Sequence, residues 1–179
     1  VVPRIYLDHN ATTPLVSPAL ARFCSVATEV WGNPSSVHHF GQQAKAVLDG
    51  ARASVAALLG AEPSEVVFTG GGTDGDNAAV RGVAEALEPA GRRHLIISSI
   101  EHEAVLQTAK ALTRRGFRVT HLPVGTSGVV EPEALAAALT DDTAIVSVMH
   151  ANNEIGTLQP LTALAALARS RGALFHSDA

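Results

Sequence analysis

The chain has 179 residues, 46% of them hydrophobic, which is length and apolar content enough for one sizeable core. Only 17% are charged and the formal net charge is −4, so neither nucleic acid nor an anionic membrane is expected as a partner. No apolar run approaches the roughly 18 residues needed to cross a bilayer, and the start, Val1-Val2-Pro3-Arg4-Ile5-Tyr6-Leu7-Asp8, lacks the apolar stretch of a signal peptide, so the chain is expected in the cytoplasm.

Residues 1–15 read as an extended, turn-rich arm, with Asn10-Ala11-Thr12-Thr13-Pro14 offering caps and a break but no periodicity. A first helix is predicted over 17–30. Leu20, Phe23, Ala27 and Val30 share one stripe with Cys24, the only cysteine, which is therefore expected to be a buried small hydrophobe. Gly32-Asn33-Pro34-Ser35-Ser36 is a loop in which Ser35 or Ser36 can cap the next helix. That helix is predicted over 39–59, with Val47, Ala51, Val55 and Leu58 on its apolar stripe and Gly60 as its stop.

From residue 65 the pattern alternates. Strands are predicted over 65–69, 94–99, 117–122, 144–149 and 173–176, and helices over 73–87, 104–115, 132–139 and 161–170. Repeated strand–helix–strand units predict an α/β fold with a parallel sheet.

Four polar motifs follow four of these strands: Gly70-Gly71-Gly72-Thr73, Glu101-His102, Asn152-Asn153-Glu154 and Asp178. Open α/β sheets bind ligands outside the carboxyl ends of their strands. Glycines let the backbone approach an anion, and the new helix offers free N–H groups, with Thr73 adding a hydroxyl. Asp178, at a partly buried sheet edge, needs a partner. A protonated heterocyclic nitrogen would serve, as when an Asp pairs with the pyridinium of pyridoxal phosphate (PLP). His102 suits ring stacking or proton transfer, and Asn152 and Asn153 suit either chain turning or donation to an anionic oxygen.

Two rival readings use the same residues. Gly70-Gly71-Gly72-Thr73-Asp74-Gly75 matches G-x-G-x-x-G, with Glu101 where an NAD(P)-binding Rossmann-type oxidoreductase domain keeps its ribose-binding acid. His102, His150, His176 and Asp178 would gather at one edge in a metal reading, though their spacings match no short ligand motif.

Tyr6-Leu7-Asp8-His9-Asn10-Ala11-Thr12-Thr13-Pro14, Gly32-Asn33-Pro34-Ser35-Ser36, Phe68-Thr69-Gly70-Gly71-Gly72-Thr73, Glu101-His102, Met149-His150-Ala151-Asn152-Asn153-Glu154-Ile155-Gly156 and Phe175-His176-Ser177-Asp178-Ala179 together resemble the cysteine desulfurases, class V aminotransferase-like enzymes of PLP fold type I. The resemblance runs the length of the chain, in order. It implies an incomplete three-layer, parallel-sheet PLP-transferase large domain over 16–179, with 1–15 as an arm belonging to a small domain. Gly72 and Thr73 would hold the phosphate of pyridoxal 5′-phosphate. His102 would stack on the ring and act catalytically in proton transfer. Asn153 would contact the ring oxygen, Asp178 would pair with the ring nitrogen, and Asn33, Ala11 and Thr12 would lie near the substrate.

The implied reaction takes sulfur from L-cysteine, leaves L-alanine, and stores the sulfur as a persulfide on an enzyme cysteine, for iron–sulfur cluster assembly or thiolation. A sulfur-acceptor or scaffold protein and a homodimer are the implied partners. Asp74 stands where the family more often has Glu, and Ser177 where Val is usual. The cofactor-anchoring lysine motif and the mobile cysteine loop of the family are not among these residues. The chain is thus expected to be inactive alone and to occur with a missing C-terminal half, as a second fragment or a separate chain. A non-catalytic interaction module that keeps the fold is the remaining alternative.

Overall fold

The computed structural model describes residues 3–179, which form two compact units divided between Phe68 and Thr69. The first unit carries the arm and two helices, α1 (Ser17–Glu29) and α2 (His39–Leu59). In the arm, the Tyr6 hydroxyl donates to the Asp8 carbonyl at 2.8 Å and lies 3.1 Å from Thr12 Oγ1, which closes a local turn over residues 8–12. The 32–36 loop packs against the start of α2. A Cβ at Gly32 would stand 2.3 Å from the Phe40 carbonyl oxygen, and one at Gly41 would stand 2.2 Å from that of Ser36. Only glycine permits both approaches.

Three expectations about the helices of this unit fail. Cys24 is exposed, because periodicity fixes which residues share a face but not whether anything covers it. The α2 cap is His38, whose Nδ1 accepts from Gly41 N–H at 3.4 Å, rather than Ser35 or Ser36. On α2 the buried positions are Gly41, Ala44 and Ala56, while Leu58 on the expected stripe is exposed.

The strand predicted over 65–69 does not form either. Pro63–Glu65 make a short 3-10 turn in which Glu62 N–H donates to Glu65 Oε2 at 2.8 Å. Residues 66–69 run on with no sheet partner among the described residues, and Val67 is 77% exposed. Apolar β-formers favour extended backbone, but pairing requires a neighbouring edge. Here the Val66 carbonyl accepts from the Arg52 guanidinium, which also lies 5.0 Å over the Phe68 ring.

The second unit is built as its sequence predicts. Helices α3 (Gly72–Leu87), α4 (Glu103–Arg114), α5 (Pro132–Ala138) and α6 (Leu161–Ser170) alternate with strands β1 (His94–Ser98), β2 (Arg118–Leu122), β3 (Thr143–Ser147) and β4 (Leu174–His176). All pairings are parallel, in the order β2-β1-β3-β4. Ile96 and Val146 point to one face, where they pack with Leu135, Leu139, Leu164 and Ala168 of the α5–α6 side. Leu95 and Ile145 point to the other, against Val80 and Ala84 of α3 and Leu112 of α4. The unit is therefore a three-layer α/β sandwich. Each wholly buried aliphatic chain contributes about 1.5–3 kcal/mol, enough to hold a four-stranded sheet rigid beneath a site. Among the described residues no helix is long and apolar enough to cross a membrane.

At the amino edge, His94 is buried with Nδ1 2.9 Å from Thr143 Oγ1 and Nε2 2.8 Å from Thr120 Oγ1. Burial pushes its imidazole down to about 4, so it serves as a neutral, satisfied core group. The reactive side chains lie at the opposite edge.

Candidate active site

Register brings the carboxyl ends together. Ile97 pairs with Ser147, and Ser147 pairs with His176. The ladder continues past the strands: Val148 N–H donates to the His176 carbonyl at 3.1 Å, and His150 N–H to that of Asp178 at 2.8 Å. The loop carrying Asn152 and Asn153 thus leaves the sheet beside Asp178.

Beside these ends the Gly70–Gly72 turn opens into α3. Asp74 Oδ2 accepts from Gly70 N–H at 3.1 Å, which pins the turn. The first intrahelical bond is donated by Gly75 to Gly71 at 3.0 Å, so the amides of Gly72, Thr73 and Asp74 are the helix's free N-terminal donors. A Cβ at Gly71 or Gly72 would meet nothing within 4 Å. The Thr73 side chain is exposed at the same point. This is an open cradle for an anionic group at the positive end of a 16-residue helix.

The second element is a cluster. Asp76, His102 and Asp178 each offer a donor atom, and these atoms all lie within 4.8 Å of one another. His102 caps α4, its Nδ1 accepting from Ala104 N–H at 3.1 Å, so the neutral ring carries its proton on Nε2. Asp76 is 6% exposed. Burial first, then the Asp178 charge, raises its carboxyl above the usual range. His176 stands behind it, with Nε2 3.5 Å from Asp76 Oδ1 and Nδ1 2.9 Å from Ser147 Oγ. Burial lowers the His176 imidazole, with Asp76 and Asp178 opposing.

Glu101 lies deeper. It is 5% exposed and accepts from Met149 N–H at 2.8 Å, from the Ser98 hydroxyl, and from the Ser147 hydroxyl at 3.5 Å. Desolvation raises it to about 7. A ribose-binding acid must face the ligand, and this one is enclosed by protein, so the Rossmann reading fails on its own key residue. The metal reading changes membership: Asp76 takes part, His150 does not, and His176 is engaged by Ser147 and Asp76.

Of the predicted site residues, Gly72 and Thr73 form the cradle, and His102 and Asp178 meet in the cluster. Asn153 is exposed in the loop beside Asp178, while Asn152 turns that loop, its Oδ1 accepting from Glu154 N–H at 2.9 Å and Ile155 N–H at 3.0 Å. Asn33, Ala11 and Thr12 belong to the first unit, where Asn33 Oδ1 accepts from Ser35 N–H at 2.9 Å. Ser177 Oγ is buried with no hydrogen-bond partner among the described residues.

Asp76 was not singled out from the sequence. Its signal is an acid on a core stripe: it stands at i, i+4, i+8 with Val80 and Ala84, and these three are the buried residues of α3.

A family model for class-V aminotransferases matches residues 5–179. The chain belongs to the class-V aminotransferase family. Within that family it is 44% identical to the cysteine desulfurase IscS of Dictyoglomus turgidum and 49% identical to that of Pseudomonas aeruginosa, in each case over 98% of this chain and 44% of the relative. The chain thus spans somewhat under half the length of the curated relatives it matches. Among solved structures, a NifS-like protein superposes with a TM-score of 0.94 at 40% identity, covering 99% of this chain and 49% of the other. SspA in complex with cysteine superposes with a TM-score of 0.92 at 36% identity, covering 97% and 50%. The three-layer unit is accordingly part of a larger family fold, and the Rossmann alternative is set aside.

Proposed function

We propose that the protein is part of a PLP-dependent cysteine desulfurase that converts L-cysteine to L-alanine and passes the sulfur, through an enzyme persulfide, toward iron–sulfur cluster assembly or thiolation. The observation that carries this reading is the pairing of an open helix-N-terminal cradle with two carboxylates and an imidazole within 4.8 Å at the same sheet edge. A phosphate-bearing ring with a protonated nitrogen matches both halves of that arrangement. The likeness to a protein solved with cysteine supports the substrate class.

When bound, PLP supplies the electron sink for breaking bonds at the substrate α-carbon. The chain's own residues bind, orient and move protons. Gly72, Thr73 and the free α3 amides would hold the phosphate. Asp178 would keep a proton on the ring nitrogen. His102, with its proton on Nε2, would stack on the ring and move protons. Asn153 would donate to the ring oxygen, and Asn33, Ala11 and Thr12 would border the substrate. In this reading the arm of residues 1–15 joins a small domain, residues 16–179 belong to the large one, and the whole enzyme is a cytoplasmic homodimer that meets a sulfur acceptor.

The direct test is PLP titration of the complete protein, followed by assay of L-alanine from L-cysteine. Failure to take up PLP overturns the reading. Thr73→Val is expected to weaken PLP binding by about 1.5–3 kcal/mol, the scale of a hydrogen bond to a charged group. Unchanged affinity in that titration removes Thr73 from the phosphate site. His102→Ala is expected to lower kcat by about 10²-fold or more, the range for a lost proton-transfer group, with a much smaller change in KM. A rise in KM alone, with normal single-turnover chemistry, contradicts the proton-transfer role.

A further inference from the structure

Asp76 is not among the residues assigned to cofactor or substrate, yet it is the most enclosed member of the cluster. It comes from α3, whereas Asp178 follows β4 and His102 begins α4. We propose that Asp76, held by His176, is a positioning residue for the ring-nitrogen site: a second carboxylate beside Asp178 that strengthens the hold on the ring-nitrogen proton. This inference rests on the PLP reading.

Three features of the geometry argue for it. First, an acid on the core stripe of a helix costs free energy unless something compensates it. The compensation here is specific, since His176 reaches Asp76 Oδ1 through Nε2 at 3.5 Å while its Nδ1 is fixed by Ser147 at 2.9 Å. Second, when the Ser147 hydroxyl donates to His176 Nδ1, the neutral ring keeps its proton on Nε2, toward Asp76, and is braced from the floor of the sheet. A braced imidazole holds the Asp76 carboxylate in one place. Third, two carboxylates this close repel each other unless a positive group lies near both.

The groups facing Asp76 are Asp178 and His176 from the end of β4 and His102 from the start of α4, while Glu101, whose carboxyl burial raises to about 7, lies near Asp178. Two acids thus share the site, and the His176 imidazole, lowered by burial, does not bring a full positive charge to it. A ring nitrogen bearing a proton supplies the missing positive charge. Asp76 acts through Asp178 and the local potential, with no contact to substrate required.

The test uses the complete protein loaded with PLP labelled with ¹⁵N in the ring, because the nitrogen resonance reports directly whether the ring is protonated. In Asp76→Asn the pH at which the ring nitrogen loses its proton is expected to fall by about one unit or more, the scale for removing one charge at this distance in a partly screened site. Turnover is expected to fall about tenfold at the pH where the variant's ring is deprotonated, with KM nearly unchanged. His176→Asn keeps a polar group near Ser147 but cannot reach Asp76, and is expected to shift the resonance the same way by less. It also serves if Asp76→Asn does not fold.

A purely structural role would lower the melting temperature or PLP affinity and leave the ring titration at its wild-type pH. That outcome in the folded variants overturns the inference while the cofactor reading stands. Wild-type protein that takes up no PLP overturns both.

Discussion

Replacing Asp178 with Asn in the complete protein is expected to leave the fold intact and to cut turnover by about 10²-fold or more, the usual scale for losing one preorganised electrostatic partner. The substitution is nearly isosteric. The backbone bond from His150 N–H to the Asp178 carbonyl, 2.8 Å, does not depend on the side chain, so the ladder that fixes the strand ends survives. What is lost, on the proposed function, is the charge that would hold a proton on the ring nitrogen. Asp178 also raises the carboxyls of both Asp76 and Glu101 by like-charge repulsion. In Asp178→Asn both acids are therefore expected to titrate lower, which NMR of the cofactor-free protein would detect. Steady-state alanine formation and far-UV circular dichroism decide the main point. Turnover near wild type with an intact fold would show that Asp178 only ends a strand.

The second unit was nearly all legible in the sequence, and for a physical reason. Its strands are buried on both faces and its helices have one covered stripe, so apolar runs and 3.6-residue periodicity map directly onto packing. The first unit was less legible. Cys24, Leu58 and Phe68 carry the patterns of buried residues but are exposed. A sequence pattern states what a segment can bury, and burial itself requires a covering surface. The site divides the same way. His102 and Asp178 were visible because strand ends are known places for chemistry, and Gly72 and Thr73 because a glycine-rich turn opens a helix, although the strand predicted before them does not form. Asp76 was hidden, because it lies inside a helix where polar residues are read as solvent-facing. Glu101 was visible but assigned, in the rival reading, to a ligand, because sequence does not reveal that Ser98, Ser147 and Met149 close over it.

That enclosure makes Glu101 the best handle on the stability of the site's floor. Its carboxyl is raised from 4.5 to about 7, chiefly by burial. The folded protein therefore holds a proton that the unfolded chain releases near its ordinary value. The resulting stability is fully present below about pH 4.5 and is lost progressively as the pH rises to about 7, above which the slope vanishes. A displacement of that size corresponds to about 3 kcal/mol. Glu101→Gln keeps an oxygen to accept from Met149 N–H and removes the titration, while its amide N–H can donate to Ser147 Oγ. Urea unfolding of the cofactor-free complete protein is expected to show wild type and variant converging in acid. By pH 8 the variant is expected to be the more stable, by up to about 3 kcal/mol. Asp76 and His176 titrate in both proteins, so the difference between the two profiles isolates Glu101. Profiles that stay parallel from acid to pH 8 would mean that Glu101 titrates alike in the folded and unfolded chain, and that its enclosure by Ser98, Ser147 and Met149 does not hold in solution.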